Sequence, residues 1–173
     1  MSQDVENIEY ASILALQALD QEFPLRKKAS SEYLGYLDRR IVIPESCTVM
    51  VLIYLRRLRA AGSALTVEEN FTSLTLCVTL MMAYKFICGR SKTNKSFARV
   101  SGITLTKLDA CEILFLQEQA WNVFITPEEF SEACAQLERV QQVRMWRIED
   151  GLACTVQRFR QEKKRRIEAL DSA

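Results

Sequence analysis

From residue 8 onward the apolar positions of the chain recur at intervals of three and four, the spacing that lines one face of an α-helix. Ile8, Ala11, Leu14, Ala15 and Ala18 predict a first amphipathic helix, and a shorter one is expected over Ser30–Asp38. Pro44–Ala61 reads as a helix apolar nearly all round, ending in a basic patch at Arg56, Arg57 and Arg59 and closed by Gly62. Ser63 or Thr66 can cap a long helix that begins near Val67, with Glu68 and Glu69 in the first turn, where the helix dipole favours negative charge. That helix is expected to run to about Cys88. Its centre, Leu74–Phe86, is apolar on every face except at Thr75, Thr79 and Lys85, so it should be a hub surrounded by other helices.

A polar turn over Gly89–Lys95 leads to a short helix around Ser96–Ser101 and then to Thr104–Trp121, where Leu105, Leu108, Ile113, Leu116 and Ala120 keep helical spacing. Thr126, Pro127, Glu128 and Glu129 make a helix start, and that helix should reach Gln142. The tail Val143–Leu170 keeps the spacing through Trp146, Ile148, Leu152, Val156 and Phe159, then turns charged at Glu162, Lys163, Lys164, Arg165 and Arg166. No useful stretch alternates with period two, so the expected fold class is all-α.

Length and composition then narrow the function. At 173 residues, 49% of them hydrophobic, the chain can fill one core of normal density. Its 23 Lys and Arg against 22 Asp and Glu remove any global electrostatic reason to wrap nucleic acid or lie on an anionic membrane. No apolar run is long enough to span a bilayer, and the polar, acidic start Met1–Glu6 is unlike a secretory signal, so the cytoplasm or nucleus is the expected location. Cys47, Cys77, Cys88, Cys111, Cys134 and Cys154 are widely spaced among apolar neighbours and read as buried free thiols rather than metal ligands. The absence of histidine excludes the usual acid/base and nucleophilic triads, and the five glycines form no phosphate-cradling loop. An enzyme, a metal and a cofactor are therefore not expected.

Four pieces in order resemble a known family: Tyr54-Leu55-Arg56-Arg57-Leu58, Leu74 through Met82-Ala83-Tyr84-Lys85-Phe86, Asn94 through Ser101-Gly102-Ile103, and Leu108–Glu112 with Phe115-Leu116 up to Trp121. Over Ile43–Phe130 the chain is similar to the cyclin box of P/U-type cyclins. The resemblance implies a single five-helix box with its third helix as hub, flanked by N-terminal and C-terminal helices. The division expected is an N-terminal helical segment over 1–42, the box core over 43–130 and a C-terminal extension with a basic tail over 131–173, forming one compact domain overall. It further implies a regulatory subunit that packs on the small lobe of a cyclin-dependent protein kinase and holds its mobile regulatory helix in the active position.

The family's kinase-binding lysine and glutamate fall on Lys85 and Glu112, and apolar positions that relatives present to the kinase fall on Leu74, Phe86, Val100, Leu116 and Val123. A paired cation and anion on an apolar face can bind backbone carbonyls and amides of a partner through charge-assisted hydrogen bonds, and the pair should also satisfy itself. Many cell-cycle cyclins carry an aspartate where this chain has Arg56, so an internal ion pair of theirs is lost, and the substrate-docking patch of some cyclins is missing. Two rival readings stand beside this one. The first is a cyclin-fold nucleic-acid-binding module using Arg56, Arg57, Arg59 and Lys163–Arg166 on phosphates; the second is a helical adaptor with no kinase partner.

Overall fold

A computed structural model of the chain describes residues 2–66, 71–89 and 92–142, with side chains from Asn7 onward. All regular structure among these residues is helical: α1 Ser2–Glu22, α2 Ser30–Ile41, α3 Glu45–Ala60, a 3-10 turn Ala64–Thr66, α4 Ser73–Cys88, α5 Asn94–Ser101, α6 Leu105–Glu118 and α7 over 127–142. The chain divides into two compact units, 1–137 and 138–173. The tail beyond residue 142, with Cys154 and the Lys163–Arg166 cluster, lies outside the described residues.

The near-continuous apolar run of α3 is buried on almost every side, from Cys47 through Leu55 and again at Leu58. It packs between α1 and α4. α4 buries Thr75 through Tyr84 and packs against α2, α3, α5 and α6, which makes it the hub expected from its composition. Aromatic edges close the gaps between layers: Tyr54 of α3 meets Phe115 of α6 at 5.6 Å, and Tyr84 of α4 meets Phe97 of α5 at 5.7 Å. Each such buried ring contributes about 1.5–3 kcal/mol by leaving water.

The hub helix starts later than the sequence predicts. Thr72 is extended and α4 begins at Ser73, while Thr66 ends the 3-10 turn that Ser63 precedes, its hydroxyl donating to the Ser63 carbonyl at 3.0 Å. The cause is Phe71, which is 3% exposed and packs on Phe23 at 5.6 Å. Glu68 and Glu69 lie outside the described residues.

Helix ends follow their local chemistry. The Thr93 hydroxyl accepts from the Ser96 amide at the start of α5, and Gly102, at φ 72°, ends it in the left-handed conformation that glycine adopts at least cost. Thr126 caps α7, its hydroxyl accepting from the Glu129 amide at 3.1 Å, as the Thr-Pro-Glu-Glu start predicts. Asp20 of α1 caps α2, accepting from the Ser31 amide at 2.7 Å.

Val42, after α2, has φ 58° and is 80% exposed. A β-branched residue there costs about 1–3 kcal/mol, more than glycine loses in entropy. Val42→Gly is thus expected to stabilise the fold by about 1 kcal/mol in urea unfolding, and an unchanged or lower midpoint would contradict that strain.

The five cysteines among the described residues are free thiols, with Cys47, Cys77 and Cys111 buried and Cys88 and Cys134 half-buried. Burial pushes the Cys47 thiol up to about 12 and Cys77 to about 11, so both stay protonated and inert at neutral pH. Among the described residues no three His, Cys, Asp or Glu side chains gather as a metal site, and no helix is long and apolar enough to cross a membrane.

Candidate functional site

Lys85 stands in the last turn of α4, where the helix dipole favours a cation, and Glu112 stands in α6 alongside it. Packing of the two helices brings Lys85 Nζ to 2.6 Å from Glu112 Oε1, with the side chains only 27% and 18% exposed. Asn94, the first residue of α5, donates its side-chain amide to Asp109 Oδ1 at 2.7 Å and to Glu112 Oε2. One NH2 group has a hydrogen for each, so both bonds form together. The carboxylate of Glu112 is therefore held from both sides, and the pair satisfies itself as the sequence reading requires. An ammonium carries three donors and a carboxylate about four acceptor positions, so the pair can still take a partner's backbone carbonyl and amide.

Phe86 follows Lys85 and is 41% exposed; its ring meets Phe124 edge to face at 6.0 Å. Phe124 is itself 58% exposed, and Trp121 in the same loop is 64% exposed. Phe86 and Phe124 thus form an exposed aromatic pair, the kind of contiguous apolar surface that makes a candidate interaction site. The other predicted apolar positions sit differently. Leu116, Val123, Val100 and Leu74 are half-buried and pack against the core. Leu116 shares α6 with Glu112, and Val123 lies in the loop with Phe124. Leu74, in the first turn of α4, is about 16 Å along the helix from Lys85 at 1.5 Å per residue. The structure thus gathers Lys85, Glu112 and Phe86, adds Val123 through the loop, and sets Leu74 apart.

Asn94, Asp109, Trp121 and Phe124 were not expected as site residues. The spacing gave no separate signal for the last two: Trp121 ends the helix read over Thr104–Trp121, and Phe124 falls four residues after Ala120, on the same helical period.

Residues 119–125, which carry these rings, are tied to α3. The Tyr54 hydroxyl donates to the Val123 carbonyl at 2.6 Å, and the Gln119 amide donates back to the Tyr54 carbonyl at 3.1 Å. Burial pushes the Tyr54 phenol up to about 12, so it remains a donor. Arg57 donates to the carbonyls of Phe124 at 2.9 Å and Asn122 at 3.3 Å, and forms a two-point ion pair with Glu129 of α7.

The other arginines of the basic patch are likewise engaged. Arg56 binds Glu22 of α1 through Nε at 3.1 Å and Nη2 at 2.6 Å. Arg59 reaches the same carboxylate at 3.7 Å, donates to the Glu22 carbonyl and lies over the Phe23 ring at 3.8 Å. Where the sequence comparison implies a lost ion pair at Arg56, the structure supplies one with the flanking helix. Guanidinium groups committed to carboxylates and carbonyls are poor phosphate contacts, which weighs against the nucleic-acid reading.

Comparison with known proteins agrees with this architecture. The cyclin family model matches residues 31–123, which begin in α2 and end in the loop carrying Val123. The chain is similar to Cyclin-P4-1 of Oryza sativa subsp. japonica, 32% identical over 75% of this chain and 59% of that protein. It is also similar to two proteins of Arabidopsis thaliana. Cyclin-U2-2 is 26% identical over 70% of this chain and 54% of its own length, and Cyclin-U3-1 is 28% identical over 63% and 49%. The chain spans about half the length of the curated relatives it matches. With helices, match and relatives in accord, the chain belongs to the cyclin family, in its P/U-type group.

Proposed function

We propose that the protein is a non-catalytic regulatory subunit that binds and activates a cyclin-dependent serine/threonine kinase. It packs on the kinase's small lobe through the surface around Lys85, Glu112 and Phe86. The observation that carries this reading is the Lys85–Glu112 pair, mutually neutralised and steadied by Asn94, at the edge of exposed Phe86, Phe124 and Trp121. Such a surface recognises an apolar helix face whose neighbouring backbone offers a carbonyl and an amide. Activation is a population shift: the subunit binds the active position of the kinase's regulatory helix more tightly than the inactive one, and that difference in affinity moves the equilibrium. Half-buried Leu116 and Val123 support the contact from beneath; Val100 and Leu74 belong to it only if the kinase covers the far ends of α4 and α5.

The test is capture of the tagged chain from its own cell lysate, beside the Lys85→Ala/Glu112→Ala variant, reading bound proteins and phosphoryl transfer to a generic protein substrate. Wild type should recover a kinase with activity, and the variant should recover neither. Recovery of nucleic acid, or of non-kinase proteins alone, would sink the kinase reading and leave the family and fold untouched.

A further inference from the structure

The loop after α6 holds two non-glycine residues in left-handed conformations, Ala120 at φ 50° and Trp121 at φ 61°. Each costs about 1 kcal/mol or more, so the loop keeps this shape only because its surroundings over-determine it. Its capping bonds run back to α6: the Ala120 amide to the Gln117 carbonyl at 2.9 Å and the Trp121 amide to the Leu116 carbonyl at 2.7 Å. Its outer half, 122–124, is held from α3 by the Tyr54 hydroxyl and the Arg57 guanidinium. Arg57 alone bridges two of these carbonyls and the start of α7, and its planar fork can do so where a lysine could not. The same stretch presents Trp121 and Phe124 in the open, with Phe124 braced against Phe86 beside the Lys85–Glu112 pair.

From this geometry we infer that Arg57 is a positioning residue for kinase binding: through its bonds to the carbonyls of Asn122 and Phe124 and its ion pair with Glu129, it pre-organises the strained loop that presents Trp121 and Phe124. The inference rests on the kinase reading proposed above. Arg57 does not itself join the contact; it removes the cost of ordering the loop when the partner arrives. Glu129 serves Arg57 by fixing the orientation of the fork.

A double-mutant cycle on the full chain tests it, with the captured kinase as ligand and binding affinity as readout. Arg57→Met should weaken binding about tenfold in the wild-type background and less than about twofold in a Trp121→Ala/Phe124→Ala background, since rings that are gone need no positioning. General damage to the fold would instead weaken binding equally in both backgrounds, and that result, or no loss from Arg57→Met in wild type, overturns the inference. Should Arg57→Met not fold, Arg57→Lys keeps the charge and loses the fork, and the same contrast is expected. Lys85→Ala/Glu112→Ala, run in parallel, separates the two claims: weakened binding there with an additive Arg57 cycle overturns the loop role alone. A wild-type chain that binds no kinase overturns both.

Discussion

Replacing Lys85 by Ala is expected to lower affinity for the kinase about hundredfold, roughly 3 kcal/mol, while the free chain loses no more than about 1 kcal/mol of stability. The two effects separate because the pair changes environment on binding. In the free protein Lys85 and Glu112 are still 27% and 18% exposed, so water screens the loss, and Glu112 keeps the Asn94 amide as a donor. Against the kinase the carboxylate would be covered and short of a cation, and a covered charge left unpaired is costly. Glu112→Gln should be milder, since its carbonyl oxygen can still accept from Lys85 or Asn94. Titration calorimetry with the kinase, beside urea unfolding of the free chain, checks both halves. Equal losses in binding and stability would mean that the pair is structural, and no loss of binding would remove it from the contact.

Phe115→Ala should destabilise the fold by about 3–5 kcal/mol, a large part of the 5–15 kcal/mol available to a typical domain. Phe115 is fully buried in α6 and meets Tyr54 of α3 edge to face, so truncation opens a cavity between two helices that both contribute to the site. The lost ring contact adds to the lost burial. Tyr54 also holds the Val123 carbonyl, so loosening the aromatic pair loosens the loop with it. Thermal unfolding followed by helical circular dichroism should show a midpoint lower by about 10 °C or more. A shift of only a degree or two would mean that the neighbours close over the gap and that the pair contributes little.

The pattern of apolar positions foretold neither expectation by itself. The stripe read for α6 named Leu105, Leu108, Ile113, Leu116 and Ala120 and passed over Phe115, yet Leu105 and Ile113 are 40% and 53% exposed while Phe115 is fully buried against Tyr54. Lys85 and Glu112 are 27 residues apart and were linked only by resemblance to a family; their contact at 2.6 Å depends on the packing of α4 on α6. The arginine patch was legible as charge and illegible as bonding, because Glu22 and Glu129 reach Arg56 and Arg57 across 34 and 72 residues of chain. Nothing local to Arg56 or Arg57 indicates which carboxylate will arrive. The start of α4 was misplaced for the same reason: Glu68 and Glu69 look like a first turn, but docking of Phe71 on Phe23 decides where helix is possible.

What the amino-acid sequence determined by itself was everything set by neighbours within a turn or two. It determined that the chain is helical, where α7 begins after Thr126, that Gly102 ends α5, and that α3 and α4 are buried on most sides, since periodic burial and capping are short-range effects. Only the tertiary structure decided which charges pair, which aromatic rings remain in water, and that residues 119–125 adopt a strained path clamped by Tyr54 and Arg57. Those outcomes depend on the approach of groups far apart in the chain, and the surface proposed here for a kinase is made of them.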